Sequence, residues 1–359
     1  MRHFVSAALL ASALLASPAA AAEAPVVLKL GTLAPVGSPW HEILKDMAQR
    51  WSDASGGQVK LKIYAGGAQG NEGDMIRKLG IGQIQAAGIS NVGMQDITPE
   101  PKALSLPLFF DGDEEAECAF ERLAPTLEGL LERRGFAVVH WSRLGTIHLF
   151  CTEPRRTPAD MATSKFFTQV GDERAAEGWR LAGFHPVQLP ATDLYPALQT
   201  GMIDCLPSLP IYVLTARLFE KARYMADLSW GRAYGATLVR RDAWEQIPAP
   251  LRAKLVALAR ETGARADLEV RRLNEDALAA MKRQGLTIVP VDAAPWRAAM
   301  ARSHRILRGG MVPAAFFDEL ERARQACKAP AAPAPAPAPS AAGKSSAAGA
   351  ARSSGPAPR

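Results

Sequence analysis

Short apolar runs alternate with stretches of helical periodicity along most of this chain. Val26-Val27-Leu28-Lys29-Leu30 reads as a buried strand, and Ser38-Pro39 opens a helix with a capping side chain followed by proline in the first turn. Trp40, Ile43, Leu44, Met47 and Trp51 recur at helical spacing until Gly56-Gly57 stops them. A strand over 59–64, a glycine-rich loop over 66–70, a helix over 74–79 and a strand over 84–89 complete a βαβαβ unit. An apolar loop or strand over 104–110 follows, then a helix over 114–134 and two strands, 137–141 and 146–151. Residues 164–210 carry the centre of a second unit. It has a strand over 164–169, a helix opened by Gly171-Asp172, a strand over 187–189, a helix through Leu198, and a buried-type strand over 202–204. Further on, the pattern predicts a helix over 214–221, a strand over 236–240 and a long helix over 252–283 with Gly263 placed to kink it. A strand over 286–291 and helices over 295–307 and 313–326 come last. Strands separated by helices of this length imply parallel pairing, because the crossover needs that much chain. In such sheets ligands bind beyond the carboxyl ends of the strands. Gly171-Asp172 and residues 205–210 stand at those ends.

Composition changes the picture at the two termini. Residues 1–22 have a basic start, an apolar run too short to span a bilayer and a small-residue end, the pattern of a secretory signal peptide cleaved near Ala22. Residues 328–359 turn to Ala, Pro, Gly and Ser, a composition expected to stay disordered. The net charge is +6, but Arg2 lies in the leader and Lys328, Lys344, Arg352 and Arg359 lie in the tail, which leaves the body at +1. That balance gives no basic face for nucleic acid. The four cysteines, Cys118, Cys151, Cys205 and Cys327, form no Cys-x-x-Cys, and four allow three pairings. Their plainest reading is as small buried apolar residues.

Several segments in one order carry a family resemblance: Gly57 to Tyr64, Gly66-Gly67-Ala68-Gln69-Gly70, Ser105 to Phe110, Arg156 to Met161, and above all Tyr195-Pro196-Ala197-Leu198-Gln199-Thr200-Gly201-Met202-Ile203-Asp204. The chain resembles the dicarboxylate-binding type of substrate-binding protein of tripartite ATP-independent periplasmic (TRAP) transporters. The resemblance implies an α/β, two-lobed periplasmic-binding-protein fold, with mixed sheets flanked by helices and one long helix spanning the lobes. On that pattern lobe I takes 23–145 with 231–262, and lobe II takes 146–230 with 263–327. It also implies a periplasmic location, capture of a small organic solute, and delivery to the membrane permease subunits of a TRAP transporter. Neither cofactor nor metal is implied.

The departures from the family pattern shape the expected site. The family's Lys-Ile-Arg-Val-Pro strand carries a carboxylate-binding arginine; here it reads Lys165-Phe166-Phe167-Thr168-Gln169, so Phe167 stands in the arginine's place. Ile147 stands where a second arginine is common, and Ser208 near a frequent asparagine. An aromatic ring cannot make a bidentate guanidinium bond. The solute is therefore expected to set an apolar or aromatic part on Phe167, with polar contacts from Gln169, Asp172 and Ser208. If an anion is held, Lys165, Arg77 or Arg143 must hold it. Trp40, Trp230 and Tyr234 are candidate walls of the cleft, with core packing as the plainer reading. Asp172 also reads as a simple helix cap. A secreted α/β hydrolase is the competing class. Gly88-Ile89-Ser90-Asn91-Val92 comes nearest a nucleophile elbow but lacks its second glycine. Lys45 stands where His41-Glu42 would need a second histidine to share a zinc ion, and no Gly-Lys-Ser/Thr follows the glycine-rich loop.

Overall fold

The computed structural model describes residues 24–328; the leader expected over 1–22, and all but the first residue of the tail expected over 328–359, lie outside the described residues. Ten strands form one continuous hydrogen-bonded system: β1 Val26–Thr32, β2 Val59–Tyr64, β3 Ala86–Ser90, β4 Phe136–Cys151, β5 Lys165–Gln169, β6 His185–Leu189, β7 Cys205–Ser208, β8 Tyr224–Ala226, β9 Gly231–Arg240 and β10 Thr287–Val289. The main path is β2-β1-β3-β9-β4-β7-β5-β6, with β8 and β10 branching from β4. The helices are α1 Pro39–Ala54, α2 Glu72–Gly80, α3 Asp113–Arg133, α4 Glu173–Leu181, α5 Leu194–Gln199, α6 Pro210–Thr215, α7 Arg241–Glu245, α8 Ala249–Arg283, α9 Ala293–Gly310 and α10 Ala314–Lys328.

Strand directions set the shape. β1, β2 and β3 are mutually parallel, and β9 runs against both β3 and β4. β4 therefore runs the same way as β1–β3, out of the first half of the sheet. Its last residues, His148 to Cys151, pair antiparallel with β7, which is parallel to β5 and, through it, to β6. So β5–β7 run back toward the first half. The carboxyl ends of both parallel sets point into the space between two lobes.

Each half is sandwiched by helices. Leu28, Leu30, Val139 and Val239 pack under α1 and the start of α8, while Met75, Phe120, Leu127, Phe316 and Leu320 form the core on the opposite face of the first half. In the second half, Leu149, Phe166, Cys205, Phe184 and Trp296 fill one face. Phe150, Leu206, Leu198, Val213 and Met281 fill the other. Each of these lists draws residues from elements far apart in sequence, the pattern of one contiguous core per layer.

α8 runs unbroken past Gly263, which is not a kink. A Cβ there would fall 1.8 Å from His140 Cε1, so the glycine lets the long helix seat against β4. Asn274 on α8 braces the crossing: its Nδ2 donates to Leu144 O at 3.3 Å, and its Oδ1 accepts from Ile211 N at 3.2 Å. The register of β4 against β9 shifts between Arg143 and Gly145, where Gly145 has φ +117°, a conformation that L side chains resist.

Other boundaries differ from expectation for local reasons. The two strands expected over 137–141 and 146–151 are one long β4, because its irregularities stay hydrogen-bonded to β9. The run at 202–204 is a turn, and the strand starts one residue later, at Cys205. The 104–110 stretch is mostly a turn after a 3₁₀ helix, Glu100–Ser105. Leu307, Phe316 and Leu320 share a cluster with Phe120 and Leu127.

The reading of the cysteines as plain buried thiols is corrected by the structure. Cys118 bridges to Cys327, tying α3 to α10, and Cys151 bridges to Cys205 across directly opposed positions of β4 and β7. Sequence spacing could not choose a pairing because it is nested, with one bond spanning 209 residues and the other 54 within it.

Candidate functional site

Two recesses lie beside the crossing strands. The first is the interlobe gap onto which the parallel strands open. Phe167 and Gln169 lie on the same side of β5, both partly exposed, while Phe166 and Thr168 between them are buried on the other side. Phe167 packs at the margin of the Phe150/Leu206 cluster. Ser208, partly exposed, closes β7 opposite His148. Three large apolar side chains stay exposed just past strand ends: Leu33 (46 %) and Val36 (77 %) after β1, and Val170 (51 %) after β5.

Asp172 does not face this gap as a free group. Its carboxylate accepts from Ala175 N at 3.2 Å, capping α4, and pairs with the Lys102 ammonium, which also donates to Gln95 Oε1 at 2.9 Å. Both partners are buried. Lys102 belongs to the first half and Asp172 to the second, so the pair bridges the lobes. Burial lowers the pKa of Lys102, and the Asp172 charge opposes that shift. Lys102 was missed from the sequence because nothing local distinguishes it from a solvated lysine.

The remaining candidates scatter. The Lys165 ammonium is spent on the Gly201 carbonyl, and its backbone N–H donates to Asp204 Oδ2 at 2.9 Å. Arg77 is an exposed side chain on α2 paired with Asp74 at 2.9 Å. Trp40 is half-buried in the first turn of α1, with its indole nitrogen enclosed. Trp230 is packed among Phe166, Trp179, Phe184 and Trp296. Tyr234 is fully enclosed and stacks on Phe120 at 4.7 Å between centroids. These two are core residues rather than walls of a gap, the outcome their apolar surroundings favour.

The second recess, about 820 Å³, lies along the outer edge of β4 between α3 and α8. Arg143 is here, away from the strand ends. Its Nε donates to Glu117 at 2.9 Å and its Nη1 to Asp267 at 3.3 Å, and its backbone N–H donates to Asp267 Oδ1 at 2.9 Å. Arg232 from β9 completes the network, with Nη2 to Glu117 at 2.6 Å and Nη1 to Asp113 at 2.7 Å. Burial opposes the charge on Arg143, but Glu117 and Asp267 outweigh it and raise its pKa. Burial also lifts the Asp267 carboxyl to about 6, against the hydrogen bonds and charge of Arg143, with the Glu117 charge adding to the rise. Burial pushes His140, wedged under α8, down to about 4. Arg143 and Arg232 brace the helices against the crossing strands through these carboxylates, while the buried Arg232 Nε has no partner and Arg260 and Arg271 also line the groove.

The Ser90 hydroxyl donates to Glu72 Oε2 at 2.7 Å rather than to a histidine. Burial raises the Glu72 pKa against the two bonds that it accepts from Ser90. Among the described residues no group of three or more His, Cys, Asp or Glu side chains could hold a metal ion, and no helix is long and apolar enough to cross a membrane.

The comparison with protein families decides between the classes. The model for bacterial extracellular solute-binding proteins of family 7, the DctP family, matches residues 30–308. The chain belongs to that family. As a DctP-family member it is a solute-binding protein. The C4-dicarboxylate-binding periplasmic protein DctP of Rhodobacter capsulatus is 23 % identical over 293 residues, covering 78 % of this chain and 86 % of that protein. YiiZ of Salmonella typhimurium is 23 % identical over 189 residues; the match covers 52 % of this chain and little more than half, 58 %, of that relative. A TRAP periplasmic solute-binding protein from Desulfovibrio salexigens, solved with bound orotic acid, superposes with a TM-score of 0.76 at 20 % identity, over 84 % of this chain and 99 % of that one. That likeness speaks to the two-lobed fold. Nothing in the site or the comparisons supports the hydrolase alternative.

Proposed function

We propose that this protein is an exported receptor that captures a small organic solute in its interlobe gap and hands it to the membrane permease subunits of a TRAP transporter. The opposed directions of β1–β3 and β5–β7 carry this reading, because they turn both sets of strand ends onto one gap. Loops beyond parallel strands are where such folds bind ligands. Phe167 supplies an aromatic face, with Gln169 and Ser208 as polar contacts beside it and Leu33, Val36 and Val170 as an apolar rim. Asp172 is left out of the contact set, since its charge is committed to Lys102. The working division into lobes is 23–145 with 231–262 and 146–230 with 263–306, the last helix returning to lobe I. A solute that touches both lobes favours the closed arrangement by the difference of its affinities for the two states.

Small-angle scattering of the leader-free protein tests this reading. Adding a solute found by calorimetry should reduce the radius of gyration, and binding without compaction would reject the closing mechanism. No turnover of ester, phosphate or peptide substrates is expected. Deleting 329–359 should leave solute binding intact.

A further inference from the structure

Lys102 and Asp172 meet from opposite lobes. Lys102 stands on the 3₁₀ helix Glu100–Ser105, in the connection that leaves β3, and Asp172 stands in the loop that leaves β5. Both are carried beyond the carboxyl ends of strands, where the gap lies. The ammonium also donates to Gln95 Oε1 at 2.9 Å, from the 3₁₀ turn Gly93–Asp96. Arg174, in the first turn of α4, donates through Nη1 to Met311 O at 3.3 Å, in the core shared with α3. Its side chain is exposed and touches no carboxylate among the described residues, yet its charge is felt at Lys102. Two cations thus share one carboxylate in contact; Asp96 acts on Lys102 without bonding to it. Other nearby cations are engaged elsewhere. Lys78, in the last turn of α2, donates to Gln69 O and Oε1 at 2.9 and 3.1 Å, Lys165 to the Gly201 carbonyl, and Arg232 to Asp113 and Glu117.

Stranding one member of a buried ion pair is among the costliest changes a protein can make. Lys102 and Asp172 ride on different lobes, so swinging the lobes apart parts them and turns the ammonium toward the gap. On closing, the ammonium needs a carboxylate again. Asp172 fills that need in the empty protein. A carboxylate on the solute can fill it equally well, because one anion replaces another and the charge stays balanced. The displaced Asp172 keeps its bond from Ala175 N, at 3.2 Å, and has Arg174 in the same turn as a new partner.

We propose that Lys102 anchors the carboxylate of an organic-acid solute, and that Asp172 is a built-in competitor for the same ammonium while the gap is empty. The proposal rests on the receptor reading above and narrows it. The acid group lies at the Lys102 side of the gap, and the rest of the solute lies toward Gln169 and Phe167, which precede Asp172 along the chain. Lysine suits this exchange, since its ammonium is a point charge with no fixed fork to match.

The test is calorimetry of the leader-free, disulfide-intact protein with succinate, glucuronate, nicotinate and pantothenate, each beside its uncharged counterpart: succinamide, glucuronamide, nicotinamide and panthenol. An acid that binds should do so at least ~10-fold more tightly than its counterpart, as expected for a hydrogen bond to a charged group. Asp172→Asn removes the competitor and keeps the ammonium, so it should bind that acid at least ~10-fold more tightly than the unaltered protein. The double variant Lys102→Gln, Asp172→Asn strands no charge; it should keep its circular dichroism and bind the acid at least ~10-fold more weakly. A single variant that binds no more tightly, or a double variant that binds as well as the unaltered protein, overturns the anchor and leaves the receptor role standing. If Asp172→Asn fails to fold, the double variant decides alone. If none of the acids binds, the anchor falls; the receptor role falls with it only if an extract of small metabolites produces no compaction in scattering.

Discussion

At the residue scale, position 167 separates this chain from the family pattern it otherwise follows. Phe167 sits in the middle of β5, half-buried at the margin of the Phe150/Leu206 cluster, so part of its value belongs to the fold and the rest should appear on binding. Phe167→Ala should weaken solute binding by about 1–2 kcal/mol in calorimetry, with a smaller loss in unfolding free energy. Sequence reasoning located this residue by its place in a motif and its face by strand alternation. It could not see that Asp172 was committed, because the partner, Lys102, lies 70 positions away. Nor could it see that Trp230 and Tyr234 were enclosed, since strand patterns do not reveal which layer covers a face.

The titrating residues make a second prediction at this scale. Burial depresses His140 and His304 to about 4, so their neutral forms favour the fold, and their contribution is lost as pH falls from 6.5 toward 4. Asp267 works the other way. Its folded pKa of about 6 lies above the unfolded value, so its contribution is greatest at low pH and is lost as pH rises through 6. Asp267 therefore offsets part of the histidine penalty. Asp267→Asn should make stability fall more steeply with acidification between pH 6.5 and 4, measured by urea unfolding at each pH.

At the scale of elements, α8 and the two bridges hold the architecture. Gly263 was legible as a glycine in a long helix, but its role was not, because His140 approaches from a strand 123 positions earlier. Gly263→Ala should cost about 1–3 kcal/mol by forcing α8 away from β4. Pairing it with His140→Ala should recover part of that loss, as a double-mutant cycle would show. The Cys118–Cys327 bond closes a far longer loop than Cys151–Cys205. Replacing both members of the longer bridge by serine should lower the unfolding free energy by about 3–5 kcal/mol. Helix and strand order was largely readable from periodicity and caps. The fusion of two strands into β4 was not, because a bulge at Gly145 resembles a turn in sequence.

At the scale of the whole molecule, the lobes meet through β4, β9, α8, the bonds of Arg297 and His304 on α9 to the 107–111 turn, and one buried ion pair. Breaking a buried pair on one side leaves a charge without its partner, at a cost of about 3–5 kcal/mol. Asp172→Asn should therefore destabilise the protein more than the double change Lys102→Met, Asp172→Leu, in which no charge is stranded. Because the pair spans the lobes, the single variant should also shift the scattering profile of the solute-free protein; an unchanged profile would show that the pair does not govern lobe spacing.

The bridges also bear on how the chain matures. Neither one crosses the gap, so covalent bonding leaves the lobes free to swing. Their order along the chain is nested, however, and a polypeptide delivered N-terminus first presents Cys118 and Cys151 together long before Cys327 arrives. An oxidase acting on the emerging chain would join those two first and produce the wrong ring. Correct maturation should then depend on an isomerase able to undo it. Removing Cys118 and Cys327 together should free the yield of folded protein from that dependence.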